Sequence, residues 1–297
     1  MSRLGFLLGL LLLTTQTTPQ TATGQFQYRL AENWPTGTPN GDAVGGSSAV
    51  TSDANGFVHV YRRDAGDVWT INPAGRFVKA WAANSAKWTH GIRVDRNGFI
   101  WTTDGQGHQV KKWSPDGKLL MTLGKYDVAG AGPDTFNRPT DVVVAANGDF
   151  FISDGYGNSR VAKFTKDGKF IKDWGSKGKE PGQFDLPHSV IIDDRGRILV
   201  ADRQNRRVQI FDQEGKFLDQ WTHLGAPYAL SITNDVLYVA DGPNKKVWIA
   251  NAKDGKLLGT IEGTEDAHWA AVDKDGNVYV ASNMSHYLRK YTRIKSE

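Results

Sequence analysis

Apolar and polar residues alternate along this chain in short runs, and each run is bounded by Asp, Asn and Gly. A period of two is that of half-buried strands, and no helical period is sustained over a useful length. The stretch from Ser189 shows the pattern: SVIID, turn DRG, RILVAD, loop RQNR, RVQIFD, turn QEG, KFLDQW. It predicts strand, tight turn, strand, loop, strand, turn, strand. Asp-Gly and Asn-Gly suit such turns because the tight hairpin needs positive φ at its central residues.

The pattern repeats. A first turn glycine occurs at Gly56, Gly98, Gly148, Gly196 and Gly276, and a second at Gly75, Gly117, Gly168, Gly215 and Gly255. Within a unit the two are 19 residues apart, or 20 in the third unit. Successive first glycines advance by 42, 50 and 48 residues. The fifth unit carries Asn234-Asp235 at its first turn, and the 80 residues from Gly196 to Gly276 hold two units. Six units of four short strands predict an all-β chain folded as a six-bladed β-propeller. The last unit stops after VYVAS and YLRKYTR, one strand short. The strand-like run QFQYRL at 25–30 is expected to supply that outer strand and close the ring, which removes the free sheet edges. Trp81, Trp174 and Trp221 each end the fourth strand of a unit and are expected to pack between blades.

Composition narrows the chemistry. The 297 residues include 33 glycines, 10 tryptophans and no cysteine, which excludes disulfides, thiolate metal sites and a cysteine nucleophile. Charged residues make up 23% and the formal charge is +4, with both signs interspersed. That balance argues for a soluble globular protein and against nucleic acid as a partner. Arg3 followed by the apolar run at 4–13 and a Thr-rich stretch reads as a signal peptide over 1–24, with the propeller domain over 25–297. Ten apolar residues are too few to span a bilayer, so no stable membrane span is expected. The chain is expected to be secreted or periplasmic, and a monomer.

The seven histidines are not scattered at random. His90, His188 and His268 each lie eight residues before a first turn glycine, in the second, fourth and sixth units. The same phase carries Ser48, Thr140 and Tyr228 in the other three. This position opens the innermost strand, so three imidazoles a third of a turn apart converge on the channel axis. Three histidines with an open position is the ligand set of a catalytic zinc site, although iron or another divalent ion uses it too. The competing reading is three histidines that merely line a wet channel. His59, His108, His223 and His286 fall off the phase and read as loop, strand or surface residues.

The loops after the second strands open on the same face. Their recurring Asp reads as a turn cap, and Arg160 and Arg207, which precede the third strand in equivalent places, read as structural. Arg63, Tyr156 and Arg203 depart from the repeat. An arginine at a channel mouth suits a carboxylate, and a tyrosine beside a metal and a guanidinium is expected to have a lowered pKa and act as a base.

The runs PTDVVV (139–144), SDGYGNSRVAKF (153–164), PGQFDLPHSV (181–190) and VADRQNRRVQIF (200–211) resemble the lyase domain of peptidylglycine α-amidating enzymes, a six-bladed propeller of NHL-type repeats. The resemblance implies a zinc lyase that cleaves a peptidyl-α-hydroxyglycine to an amide and glyoxylate. It implies that the zinc ligands are His90, His188 and His268, that the catalytic tyrosine is Tyr156, and that Arg63 and Arg203 are the active-site arginines. The substrate class is then a peptide or small molecule with an α-hydroxyglycine-like end. The chain also departs from the family. The residue after the third histidine is usually an Asp that helps hold a structural calcium, and here it is Trp269, so calcium is not expected to carry over. Asp266 replaces an apolar residue, and Gly157 stands where a cysteine can occur. No monooxygenase segment precedes the repeats within these residues, so the hydroxylated substrate is expected to come from elsewhere. Two alternatives stand beside the lyase: a non-catalytic NHL propeller binding a protein or glycan, and a propeller hydrolase or lactonase.

Overall fold

The computed structural model describes residues 24–41 and 43–294. The leader call at 1–24 therefore lies outside the described residues save for Gly24. Six four-stranded antiparallel sheets follow one another around a ring, as the repeat predicts. In five of them the strands run outward in chain order. The sixth joins both ends of the chain: Trp269–Val272, Val278–Ser282 and Tyr287–Ile294 are followed outward by Gln27–Leu30. One 3-10 turn at Pro39–Gly41 is the helical structure among the described residues, and none of these forms a helix able to cross a membrane.

Closure is a physical clasp. Tyr28 pairs with Arg293 across the ladder, and its side chain is buried at 1% exposure. Its hydroxyl meets that of Tyr238 in blade 5 at 3.0 Å. Just upstream, the amide of Gln25 donates to the carbonyl of Leu258, on the outer strand of the same blade, at 2.8 Å. The N-terminal strand is thus tied to two blades at once.

Neighbouring blades pack through their outer tryptophans. Trp81 lies edge-on to Trp113 of the next blade at 5.6 Å, and Trp174 meets Phe211 at 6.0 Å. Trp174 and Trp221 also rest on the turn glycines of the following blade. A Cβ on Gly215 would come within 2.6 Å of the Trp174 ring, and one on Gly255 within 2.5 Å of Trp221. Both glycines have positive φ, so the turn and the blade contact demand the same residue for separate reasons.

The innermost strands line the channel: Ser47–Ser52, Thr89–Val94, Pro139–Val144, Pro187–Ile192, Ala229–Thr233 and Trp269–Val272. In four of them the register with the second strand shifts at one place. Ser47 pairs with Arg62 and Ala49 with Tyr61, which leaves Ser48 without an opposite number. Thr140 and His188 are skipped in the same way, and in blade 2 the shift falls between Thr89 and Ile92. In blades 5 and 6 the amides of Tyr228 and His268 donate to Ala240 and Ala281, which already pair with Ala229 and Trp269. A β-bulge re-aims the residue it contains. Here it frees the phase position from the alternation of the strand and lets it face the axis.

Truncating Tyr28 removes a large buried ring and opens the clasp. Tyr28→Ala is expected to cost about 3–5 kcal/mol of unfolding free energy, and Tyr28→Phe about 1 kcal/mol, both read by urea denaturation.

Candidate metal centre

The three phase histidines meet on the axis. Their ring centroids are 4.6, 5.1 and 5.1 Å apart, close to an equilateral triangle, with the rings edge to face. Each Nδ1 bonds a backbone carbonyl of the next blade around the ring: His90 to Thr140 at 2.7 Å, His188 to Tyr228 at 2.6 Å and His268 to Ser48 at 2.6 Å. A carbonyl only accepts, so each Nδ1 carries the hydrogen and each Nε2 presents a lone pair. The acceptors are the three non-histidine residues of the same repeat phase. The six positions therefore alternate imidazole donor and carbonyl acceptor around the channel.

The free nitrogens lie within 4.8 Å of one another, with His90 Nε2 and His188 Nε2 at 3.1 Å. Ligand nitrogens about 2.0–2.1 Å from a tetrahedral zinc sit about 3.3 Å apart, so the set fits a small divalent ion. The rings are also held neutral, as ligands must be. Burial drives His90 and His188 well below the ordinary imidazole range, with neighbouring imidazoles adding to it. Burial and then the charge of Arg63 push His268 down to about 3.

Tyr156, Arg63 and Arg203 all border this triangle. Tyr156 Oη is 3.1 Å from His188 Nε2 and 3.4 Å from His90 Nε2. Arg203 Nη1 donates to Tyr156 Oη at 3.4 Å, and Nη2 donates to the hydroxyl of Tyr228, while the guanidinium lies 3.7 Å over the Tyr228 ring. Arg63 sits 4.7 Å over the ring of Trp88, with Nε and Nη2 buried and free of any hydrogen-bond partner. Trp88 in turn packs against Tyr156 at 4.9 Å. A cavity of about 210 Å³ opens beside them, lined by Tyr156, Arg203, Tyr228, His268 and Met284 among others.

In the ion-free site, burial raises the phenol of Tyr156, and the charges of Arg203 and Arg63 work against that. Two residues of this site were not singled out for it. Tyr228 was counted at the histidine phase but given no role, and Trp88, two residues before His90, carried no signal beyond that proximity.

The loop aspartates are braces. Asp104 accepts from the amides of Lys87, Trp88 and Gly107, which holds the loop that carries Trp88. Asp154 and Asp202 pair with Arg160 and Arg207, at 3.0 and 2.8 Å. The off-phase histidines lie elsewhere: His59 is buried against Thr70, and His286 is exposed beside Asp64. Calcium does not fit beside the third histidine. Trp269 is fully buried there, and the guanidinium of Arg93 lies 4.9 Å from its ring, so the place offers an aromatic face and a positive charge.

The NHL repeat family model matches residues 136–164 and 184–211. The chain is 35% identical over 231 residues to peptidyl-glycine alpha-amidating monooxygenase B of Xenopus laevis, which covers 70% of this chain and 26% of that protein. It thus spans about a quarter of the first curated relatives it matches. It is 33% identical over 210 residues to a Caenorhabditis elegans protein named "Probable peptidyl-alpha-hydroxyglycine alpha-amidating lyase pgal-1", covering 65% of this chain and 60% of that one. It is 32% identical to NHL repeat-containing protein 3 of Mus musculus over 89% of this chain and 84% of that protein.

Purified protein reconstituted with zinc is expected to hold about one ion per chain, and His90→Ala, His188→Ala or His268→Ala each to lose it, measured by elemental analysis. Free metal at a hundred times its Kd should stabilise the parent by about 2.7 kcal/mol, and a chelator should reverse the gain in thermal unfolding.

Proposed function

The chain belongs to the NHL-repeat propeller family of the peptidyl-α-hydroxyglycine α-amidating lyases, and on that premise we propose that it is a zinc-dependent lyase. Its substrate is an N-acyl α-hydroxyglycine or a close carbinolamide, cleaved at the C–N bond to an amide and glyoxylate. The observation that carries this reading is the three-imidazole triangle flanked by one phenol and two guanidiniums.

The charge of the site supports an anionic substrate. The candidate ligands are neutral, and Arg63 and Arg203 both add positive charge to the same wall. The buried Nε and Nη2 of Arg63 are two unpaired donors in a fixed fork, the pattern that grips a carboxylate. A bound divalent ion polarises an oxygen donor and adds the positive charge that lowers the nearby phenol. His90, His188 and His268 would hold that ion through Nε2.

The chain's own residues then divide the work. Arg63 binds the substrate carboxylate and so orients the α-carbon. Tyr156 Oη takes the proton of the α-hydroxyl. As the C–N bond breaks, the hydroxyl-bearing carbon becomes the aldehyde and the leaving amide nitrogen gains a proton. One proton has moved from oxygen to nitrogen, with no redox change. Arg203 donates to Tyr156 and holds its negative charge, and Tyr228 fixes Arg203 by hydrogen bond and ring contact. Trp88 packs against both Arg63 and Tyr156 and keeps water from that side.

A non-catalytic propeller that binds a protein or glycan stands as a second reading, since the name of NHL repeat-containing protein 3 carries no activity. Export to a secreted or periplasmic location is proposed along with the lyase, on Arg3 and the apolar run at 4–13. Glyoxylate release from an N-acyl α-hydroxyglycine by the metal-loaded protein tests the lyase reading. Tyr156→Phe should lower kcat by about 10²–10⁴ and retain the metal, while Arg63→Ala should act mainly on KM. Bound metal with no glyoxylate would discard the substrate class, and no tight metal would leave the binding module.

A further inference from the structure

His90 and His188 lie where the register of their strands shifts, and each Nδ1 bond ties only one blade to the next, so something else must hold the three pairs of blades in step. Directly beneath the histidines one half-buried side chain reaches across the channel. Arg93 lies three residues after His90 on the same strand. Its Nε donates to Asp141 Oδ1 at 3.0 Å and its Nη2 to Asp141 Oδ2 at 2.6 Å. The same Nη2 reaches Ser189 Oγ at 3.0 Å and the carbonyl of Leu230 at 2.9 Å. The guanidinium also faces the Trp269 ring. One side chain of blade 2 thus touches blades 3, 4, 5 and 6.

Every one of these contacts adjoins the metal set. Asp141 follows Thr140, whose carbonyl holds His90. Ser189 follows His188. Leu230 is two residues past Tyr228, whose carbonyl holds His188. Trp269 follows His268. Asp141 is fully buried, and it also accepts from Ser189 Oγ at 2.8 Å and the amide of Val190 at 3.1 Å. Ser189 Oγ accepts from the amide of Leu230 at 3.1 Å. Below this layer the channel widens into a cavity of about 260 Å³ that contains Arg93 but none of the three histidines. The Arg93–Asp141 layer is therefore the floor that separates the metal set from the far mouth.

We propose that Arg93 is a positioning residue: its guanidinium, clamped by Asp141, Ser189 and Leu230, sets the spacing and ring orientation of His90, His188 and His268. It acts as a built-in cation on the axis, covalently attached and always charged. It needs no calcium, in keeping with Trp269. The proposal rests on the three-histidine reading for its metal readout, and a second readout is free of it.

The test compares the parent with Arg93→Met, Arg93→Lys and Asp141→Asn, all well below their unfolding temperatures. The first readout is cobalt(II) affinity by chelator competition, with the cobalt absorption spectrum. The second is the imidazole tautomers of the metal-free protein, from long-range proton–nitrogen NMR. Arg93→Met should weaken cobalt binding about 10–100-fold, as loss of a group that orients ligands does, and shift the spectrum. It should also replace the fixed Nδ1–H form of His90 and His188 by a tautomer mixture. Arg93→Lys should recover part of both, and added calcium should recover neither. A brace that served stability alone would lower the unfolding temperature and leave affinity and tautomers as in the parent, and that result would overturn the proposal. If the parent binds no cobalt yet its tautomers depend on Arg93, the positioning role stands and the metal reading falls. Should Arg93→Met not fold, Asp141→Asn carries the same comparison, since it keeps the shape and removes the charge that clamps Arg93.

Discussion

Three hydrogen bonds, each from a histidine Nδ1 to a carbonyl of the next blade, govern the rest of this site. They leave no choice of tautomer, because the acceptor is a backbone oxygen. All three Nε2 lone pairs are consequently aimed at one buried point, and two of them stand 3.1 Å apart. The phenol of Tyr156 stands within hydrogen-bond distance of two of these nitrogens, on His188 and His90, whereas a divalent cation at that point would meet all three lone pairs at once. The same bonds link blade 2 to 3, 4 to 5 and 6 to 1, so the ring's closure and the ligand geometry are one constraint. A propeller that opened at the Tyr28 clasp would also lose the alignment of His268, which is held by Ser48 across the junction.

The electrostatics around the triangle have a consistent direction. Neutral imidazoles with Arg63 and Arg203 beside them make a wall whose net charge is positive. The burial that keeps the imidazoles neutral also raises the phenol of Tyr156, against the charges of Arg203 and Arg63.

How much of this could be read along the chain depended on what repeats. The blade count was legible because each hairpin turn needs a glycine with positive φ, and a constraint of that kind recurs at a fixed spacing. The outer tryptophans were legible for a related reason: Trp174 and Trp221 press on the next blade's turn glycine, so contact and turn share one period. His90, His188 and His268 stood out because three identical side chains fell on one phase in alternate units. Trp88 and the function of Tyr228 did not, since each occurs once and neither breaks a pattern of charge or hydrophobicity.

The linear sequence, by itself, determined a ring of four-stranded units with one missing strand supplied from the other end, and a threefold set of histidines at the start of the inner strands. Local turn chemistry and a period of two suffice for that, because both act between near neighbours. Tertiary structure alone decided which way those histidines face. The carbonyl that each Nδ1 finds in the following blade and the Arg93–Asp141 layer beneath the histidines join residues 40 or more positions apart. Such contacts form only when the blades close around a common axis, and it is there that a repeat of unremarkable strands becomes a set of converging ligands.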